Sequence, residues 1–136
     1  MSKEETYFTE FRKGEVTELQ QLLRNSLNEK NLEKQKESVR KVIAYMTLGI
    51  DVSSLFVDMT KATNTKDLVQ KKLVYMYLSN YAEANKDTSI LAVNTLLKDC
   101  HDQNPMVRGL SLKSLSSLRF LFYSIIFDPK KNSTYT

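Results

Sequence analysis

Residues 39–81, VRKVIAYMTLGIDVSSLFVDMTKATNTKDLVQKKLVYMYLSNY, carry the pattern that decides the fold. Val39, Val42, Ile43 and Met46 recur at the spacing that puts them on one face of a helix, and Leu73, Val74, Tyr77, Leu78 and Tyr81 do the same at the far end. Val74 and Leu78 follow Val39 and Ile43 by 35 positions, so one amphipathic helix is succeeded by its own likeness. Gly49 accepts the left-handed backbone that ends a helix, and Asp51 is then expected to cap a third helix whose inner face is Val52, Leu55, Phe56 and Met59. Asn64-Thr65 is expected to cap the next. Two helices per repeated unit describe a solenoid.

Outward from this stretch the pattern continues. Val16, Leu19, Leu22, Leu23 and Leu27 form an earlier stripe, and Ile90, Val93, Leu97 and Cys100 a later one. Asn104-Pro105 opens a sixth helix, the Asn accepting otherwise unbonded amide hydrogens and the Pro lacking only an N–H that had no partner. Val107, Leu110, Leu115 and Leu118 carry that helix inward, and Arg108 follows Lys71 by 37 positions. The fold class is therefore all-α, a HEAT/armadillo-like solenoid coiled as a right-handed superhelix of about three helix pairs. The period is shorter than the roughly 40 to 47 residues of HEAT and armadillo units; tetratricopeptide units, at about 34, come closer, but their Trp, Gly-Tyr and Pro signature is missing. Residues 1–13 read as an N-terminal arm, 14–119 as the helical-repeat domain and 120–136 as a separate tail.

Composition agrees. The chain has 136 residues, 41% hydrophobic and 26% charged, and its 3 Gly and 2 Pro leave few tight turns, which favours long helices with short joints. The apolar run Phe120 to Phe127 falls far short of the roughly 20 residues that span a bilayer. The charged start, Met1-Ser2-Lys3-Glu4-Glu5, has no apolar run behind it and resembles neither a secretory signal nor a transit peptide, and the lone Cys100 suits a reducing cytosolic compartment. A net charge of +4 permits contact with anionic lipid or an acidic partner without requiring it.

Little catalytic chemistry is visible. Cys100-His101 is the one nucleophile and base pair, but adjacent helical residues diverge by about 100°. One Cys and one His cannot complete a structural metal site, and no Gly-rich phosphate loop appears, so no metal and no cofactor is expected. Lys66, Lys71 and Lys72 fall early in the expected fourth helix and Arg108 early in the sixth, where the repeat could align them as an edge for anionic surfaces; a merely solvated face is the plainer reading. The same caution covers Lys34, Lys36, Arg40 and Lys41. Tyr75, Tyr77 and Tyr81 suit base stacking in type, but two of them share the buried register with Leu73 and Leu78, which favours core packing. The Asn132-Ser133-Thr134 sequon is read as idle, since glycosylation needs a lumenal route.

Several stretches resemble the N-terminal trunk of β-adaptins, the large β subunits of vesicle-coat adaptor complexes. They are Tyr7-Phe8-Thr9 leading to Lys13-Gly14-Glu15, KVIAYMTLGIDVSSLF (41–56), QKKLVYMYLSNYA (70–82) and ILAVNTLLKDCHDQNPMVRGL (90–110). The resemblance covers nearly all of residues 7–119. YMTLGIDVSS and QNPMVRGLSLKSLSSLR (103–119) look most like the β subunit of the fourth adaptor complex, whereas the opening is more like those of the clathrin-linked first and second. The resemblance implies a non-enzymatic scaffold for cargo selection and vesicle formation in trans-Golgi and endosomal transport. The implied partners are the medium, small and second large adaptor subunits, an Arf-type GTPase and a membrane met peripherally from the cytoplasm, with no nucleic acid. It also implies that Ile90 and Val93 contact the GTPase, although spacing assigns both to the core. After Arg119 the sequence FLFYSIIFDPKKNSTYT departs from the family and is read as a truncated gene model or unspliced transcript, with a true short isoform as the alternative. A stand-alone HEAT-type protein- or nucleic-acid-binding module is the rival reading of the whole chain.

Overall fold

The computed structural model describes residues 3–118, with the side chains of residues 4–11 outside the description. The tail, its apolar run and the sequon lie outside the described residues. Six α-helices follow in order: α1 (Lys3–Asn28), α2 (Leu32–Thr47), α3 (Phe56–Lys61), α4 (Leu68–Tyr81), α5 (Lys86–Asp99) and α6 (Pro105–Ser117), with a 3-10 turn, Ser53–Leu55, leading into α3. Helix α1 starts at Lys3 and continues past Gly14, so no break in it marks the boundary expected after residue 13.

The joints show why the chain turns where it does. Helices α1 and α2 close with the same backbone device, in which an amide five residues on bonds back into the last turn: Asn31 N–H to the Ser26 carbonyl (3.1 Å), and Ile50 N–H to the Tyr45 carbonyl (3.0 Å). That closure needs a left-handed residue just before it. Gly49 (φ 80°) supplies it after α2 without steric cost, whereas after α1 the residue is Lys30 (φ 53°), whose Cβ makes the conformation costly. Asn31 then caps α2 by accepting from Lys34 N–H, and Asn104 with Pro105 opens α6 as its sequence predicts.

Two expected caps move. Asp67, rather than Asn64-Thr65, caps α4 by accepting from Gln70 N–H, so Lys66 precedes the helix. Asp51 does not cap α3; its carboxylate accepts from Ser53 N–H (3.0 Å) at the entry to the 3-10 turn, a bond that holds its pKa below the ordinary 3.8.

The helices pack as three hairpins, α1/α2, α3/α4 and α5/α6. Helix α3 touches both α1 and α5, and α4 touches both α2 and α6, giving one layer of α1, α3 and α5 and a second of α2, α4 and α6. The core between them contains Leu19, Leu23, Val39, Val42, Leu55, Phe56, Met59, Val74, Tyr77, Leu78, Val93, Leu96 and Leu118. On α5 the expected stripe is corrected. Ser89, Ala92, Val93 and Leu96 face inward, while Ile90 and Leu97 are about half exposed (49% and 47%). In SILAVNTLL (89–97) apolar residues point almost all round the helix, and the small Ser89 and Ala92 take the inward positions. Leu22 is likewise exposed on α1.

Candidate interaction surface

Four basic residues were expected to share an edge, and the structure divides them. Lys66, Lys72 and Arg108 are exposed, but Lys71 is buried. Its ammonium pairs with Asp99 of α5 (2.9 Å) and donates to the Thr63 carbonyl (3.0 Å), and Tyr75 O–H donates to the same Asp99 carboxylate. Burial, followed by the hydrogen bond to Asp99, pushes the Tyr75 pKa far up and keeps the phenol neutral. Lys71 is therefore not an anionic-surface contact: a cation in this interior needs a fixed carboxylate, and Asp99 supplies it.

The repeat that was to align the charges does something else with them. Lys36, Lys71 and Arg108 occupy corresponding positions in α2, α4 and α6, and the first two reach forward into the next hairpin. Lys36 pairs with Asp67 (2.9 Å), and Lys71 with Asp99. A third cross-hairpin pair joins Arg24 of α1 to Asp58 of α3 (3.1 Å), with Gln20 also donating to Asp58 (3.0 Å). Asp67 is held below its ordinary pKa of 3.8, first by Gln70 N–H and then by Lys36. Arg108 donates to the Asp102 and Gln103 carbonyls (2.8 and 3.1 Å) and braces the α5–α6 joint. The 36/71/108 spacing with acids at 67 and 99 is the signal that reveals these cross-ties in the sequence.

A parallel tie runs through neutral groups. Gln35 donates to the Ser26 carbonyl (3.2 Å), and Gln70, 35 positions on, donates to the Ala62 carbonyl (3.0 Å), each holding its helix to the end of the preceding one. Most of the other basic cluster is also paired, Lys34 with Glu29 (3.2 Å) and Lys41 with Glu37 (3.3 Å), while Arg40 stays exposed.

The tyrosines pack rather than present faces. Tyr75 and Tyr77 are buried and Tyr81 is half-buried. Tyr77 O–H donates to the Val52 carbonyl, Val52 N–H donates to the Tyr81 hydroxyl (3.4 Å), and the Phe56, Tyr77 and Tyr81 rings adjoin. Cys100 is half-buried at the end of α5 and receives the Ser111 hydroxyl (3.4 Å), with His101 exposed beside it.

The candidate contact pair on α5 also divides: Val93 is 8% exposed and belongs to the core, whereas Ile90 is open. Ile90 and Leu97 lie two helical turns apart on the outside of α5, an apolar strip that the intended stripe concealed.

Comparison with known proteins gives a consistent picture. The family described as the adaptin N-terminal region matches residues 12–120. The chain is 44% identical over 117 residues to AP-4 complex subunit beta of Dictyostelium discoideum, covering 86% of this chain and 14% of that protein. It is 49% identical over 113 residues to AP-1 complex subunit beta-1 of Mus musculus, covering 83% and 12%. It is 46% identical over 110 residues to Beta-adaptin-like protein A of Arabidopsis thaliana, covering 79% and 13%. The chain thus spans 12 to 14% of the length of these relatives.

Proposed function

The chain belongs to the adaptin N-terminal family, and on that footing we propose that it is a trunk segment of a membrane-coat adaptor β subunit, acting as a scaffold in vesicle-mediated protein transport. The observation that carries the reading is the continuous match across three cross-tied hairpins to proteins named as β subunits of adaptor complexes. A solenoid in which each hairpin is tied to the next offers long, stiff faces to several partners, which suits assembly better than turnover. Its partners in this reading are the medium, small and second large adaptor subunits, with peripheral contact to trans-Golgi or endosomal membranes from the cytoplasmic side. Ile90 is the member of its pair that remains open to an Arf-type GTPase, with Leu97 two helical turns further along the same face.

The rival reading as a nucleic-acid module loses its main support, because Lys71 is removed from the basic edge and the tyrosines from any stacking surface. The test replaces the matching segment of mouse AP-1 complex subunit beta-1 with residues 12–118 and co-expresses it with the other subunits. Co-purification of the set is expected. A folded chimera that captures none of them, or that binds RNA with steep salt dependence instead, would overturn the proposal.

A further inference from the structure

A groove of about 1000 Å3 runs between α3, the turn 62–67 and α5 from Leu91 onward, with Leu32 and Lys36 of α2 on its wall. Helix α3 has only 6 residues against the 14 of α5, so the layer dips where α3 ends and the chain turns away. Val57 (36% exposed) and Leu91 (50%) lie open in that dip. Its charge is one-sided once internal pairs are removed. Lys36 is taken by Asp67 and Lys71 by Asp99, leaving Lys61, Lys66 and Lys98, all exposed, opposite Asp102. Ile90 does not line it, so this is a different surface from the outer strip of α5.

We propose that this groove docks a short acidic segment of a partner protein, with an apolar side chain seated on Val57 and Leu91 and its carboxylates on Lys61, Lys66 and Lys98. An apolar floor inside a rim of lysines that pair with no acid among the described residues is complementary to alternating acidic and apolar residues. A flat anionic bilayer can meet the lysines without entering the groove between α3 and α5, so the concavity favours a peptide over a membrane.

The probe is a fluorescein-labelled peptide, Glu-Asp-Glu-Leu-Glu-Asp-Phe, titrated against the 136-residue chain by fluorescence polarisation. Binding near 10 µM is expected, on the order of a small, partly apolar contact. The double variant Lys61→Glu/Lys98→Glu and, separately, Leu91→Asp should each weaken it about tenfold or more, with unchanged far-UV circular dichroism. The charge-reversed double variant should in turn bind the peptide with lysines in place of its acids. Absence of binding, binding indifferent to these substitutions, or a preference for phosphatidylserine vesicles that depends on the same lysines would each overturn the proposal.

Discussion

Lys71 and its neighbour Lys72 look alike in the sequence and differ completely in the fold, one paired inside and one in solvent. Replacing Lys71 with Met strands the Asp99 carboxylate in the interior, and removing one partner of such a pair costs about 3 to 5 kcal/mol. Urea unfolding of Lys71→Met should show a loss of that size, partly recovered when Asp99→Asn is added, whereas Lys72→Met should change little. A second prediction concerns acid. The lowered Asp67 pKa means that its contribution to stability is complete above 3.8, its unfolded value, and is lost as pH falls through the lower value it has in the folded chain. Asp67→Asn keeps a capping side chain but removes the charge, so its acid unfolding curve should lose the part of the slope that lies below pH 3.8. Neither residue's role was visible from local spacing. Lys71 sits at a helix start where charge is ordinary, and only the distant Asp99, through the packing of α4 against α5, turns it inward.

Among the elements, helix ends were legible where their chemistry is local, and helix faces were legible except on α5 and at Leu22. Gly49 and Asn104-Pro105 act through bonds within a few residues of themselves, so local chemistry identified them. The closure of α1 was missed because Lys30 occupies a position at which glycine is the usual signal. Lys30→Gly should relieve the left-handed strain and stabilise the chain by about 0.5 to 1 kcal/mol, while Gly49→Ala should destabilise it by a similar amount; thermal unfolding of the two variants tests both signs. Helix α5 illustrates the limit on faces, since only contact with α3 and α6 selects Ala92 and Leu96 over Ile90 and Leu97 as its inward residues. Val93→Asp should therefore unfold the domain, seen as lost circular dichroism and proteolytic resistance. Ile90→Asp should leave both intact and reduce only capture of a GTP-loaded Arf-type GTPase.

On the scale of the whole molecule, one buried core runs through the three hairpins and ion pairs cross each junction: Arg24–Asp58 and Lys36–Asp67 between the first and second, Lys71–Asp99 between the second and third. The helix-pair architecture was legible because it rests on periodicity repeated along the chain. The surfaces were not, because a face of a solenoid is assembled from residues about one repeat apart, and its charge depends on which of them neutralise one another. The most direct measurement uses cells lacking the endogenous AP-1 complex subunit beta-1 and supplies the chimera bearing residues 12–118, then follows the medium subunit by membrane fractionation. A trunk role for this segment requires that the medium subunit return to the membrane-bound fraction at the level given by the unmodified subunit. A chimera that is folded and abundant yet leaves the medium subunit unassembled would contradict it.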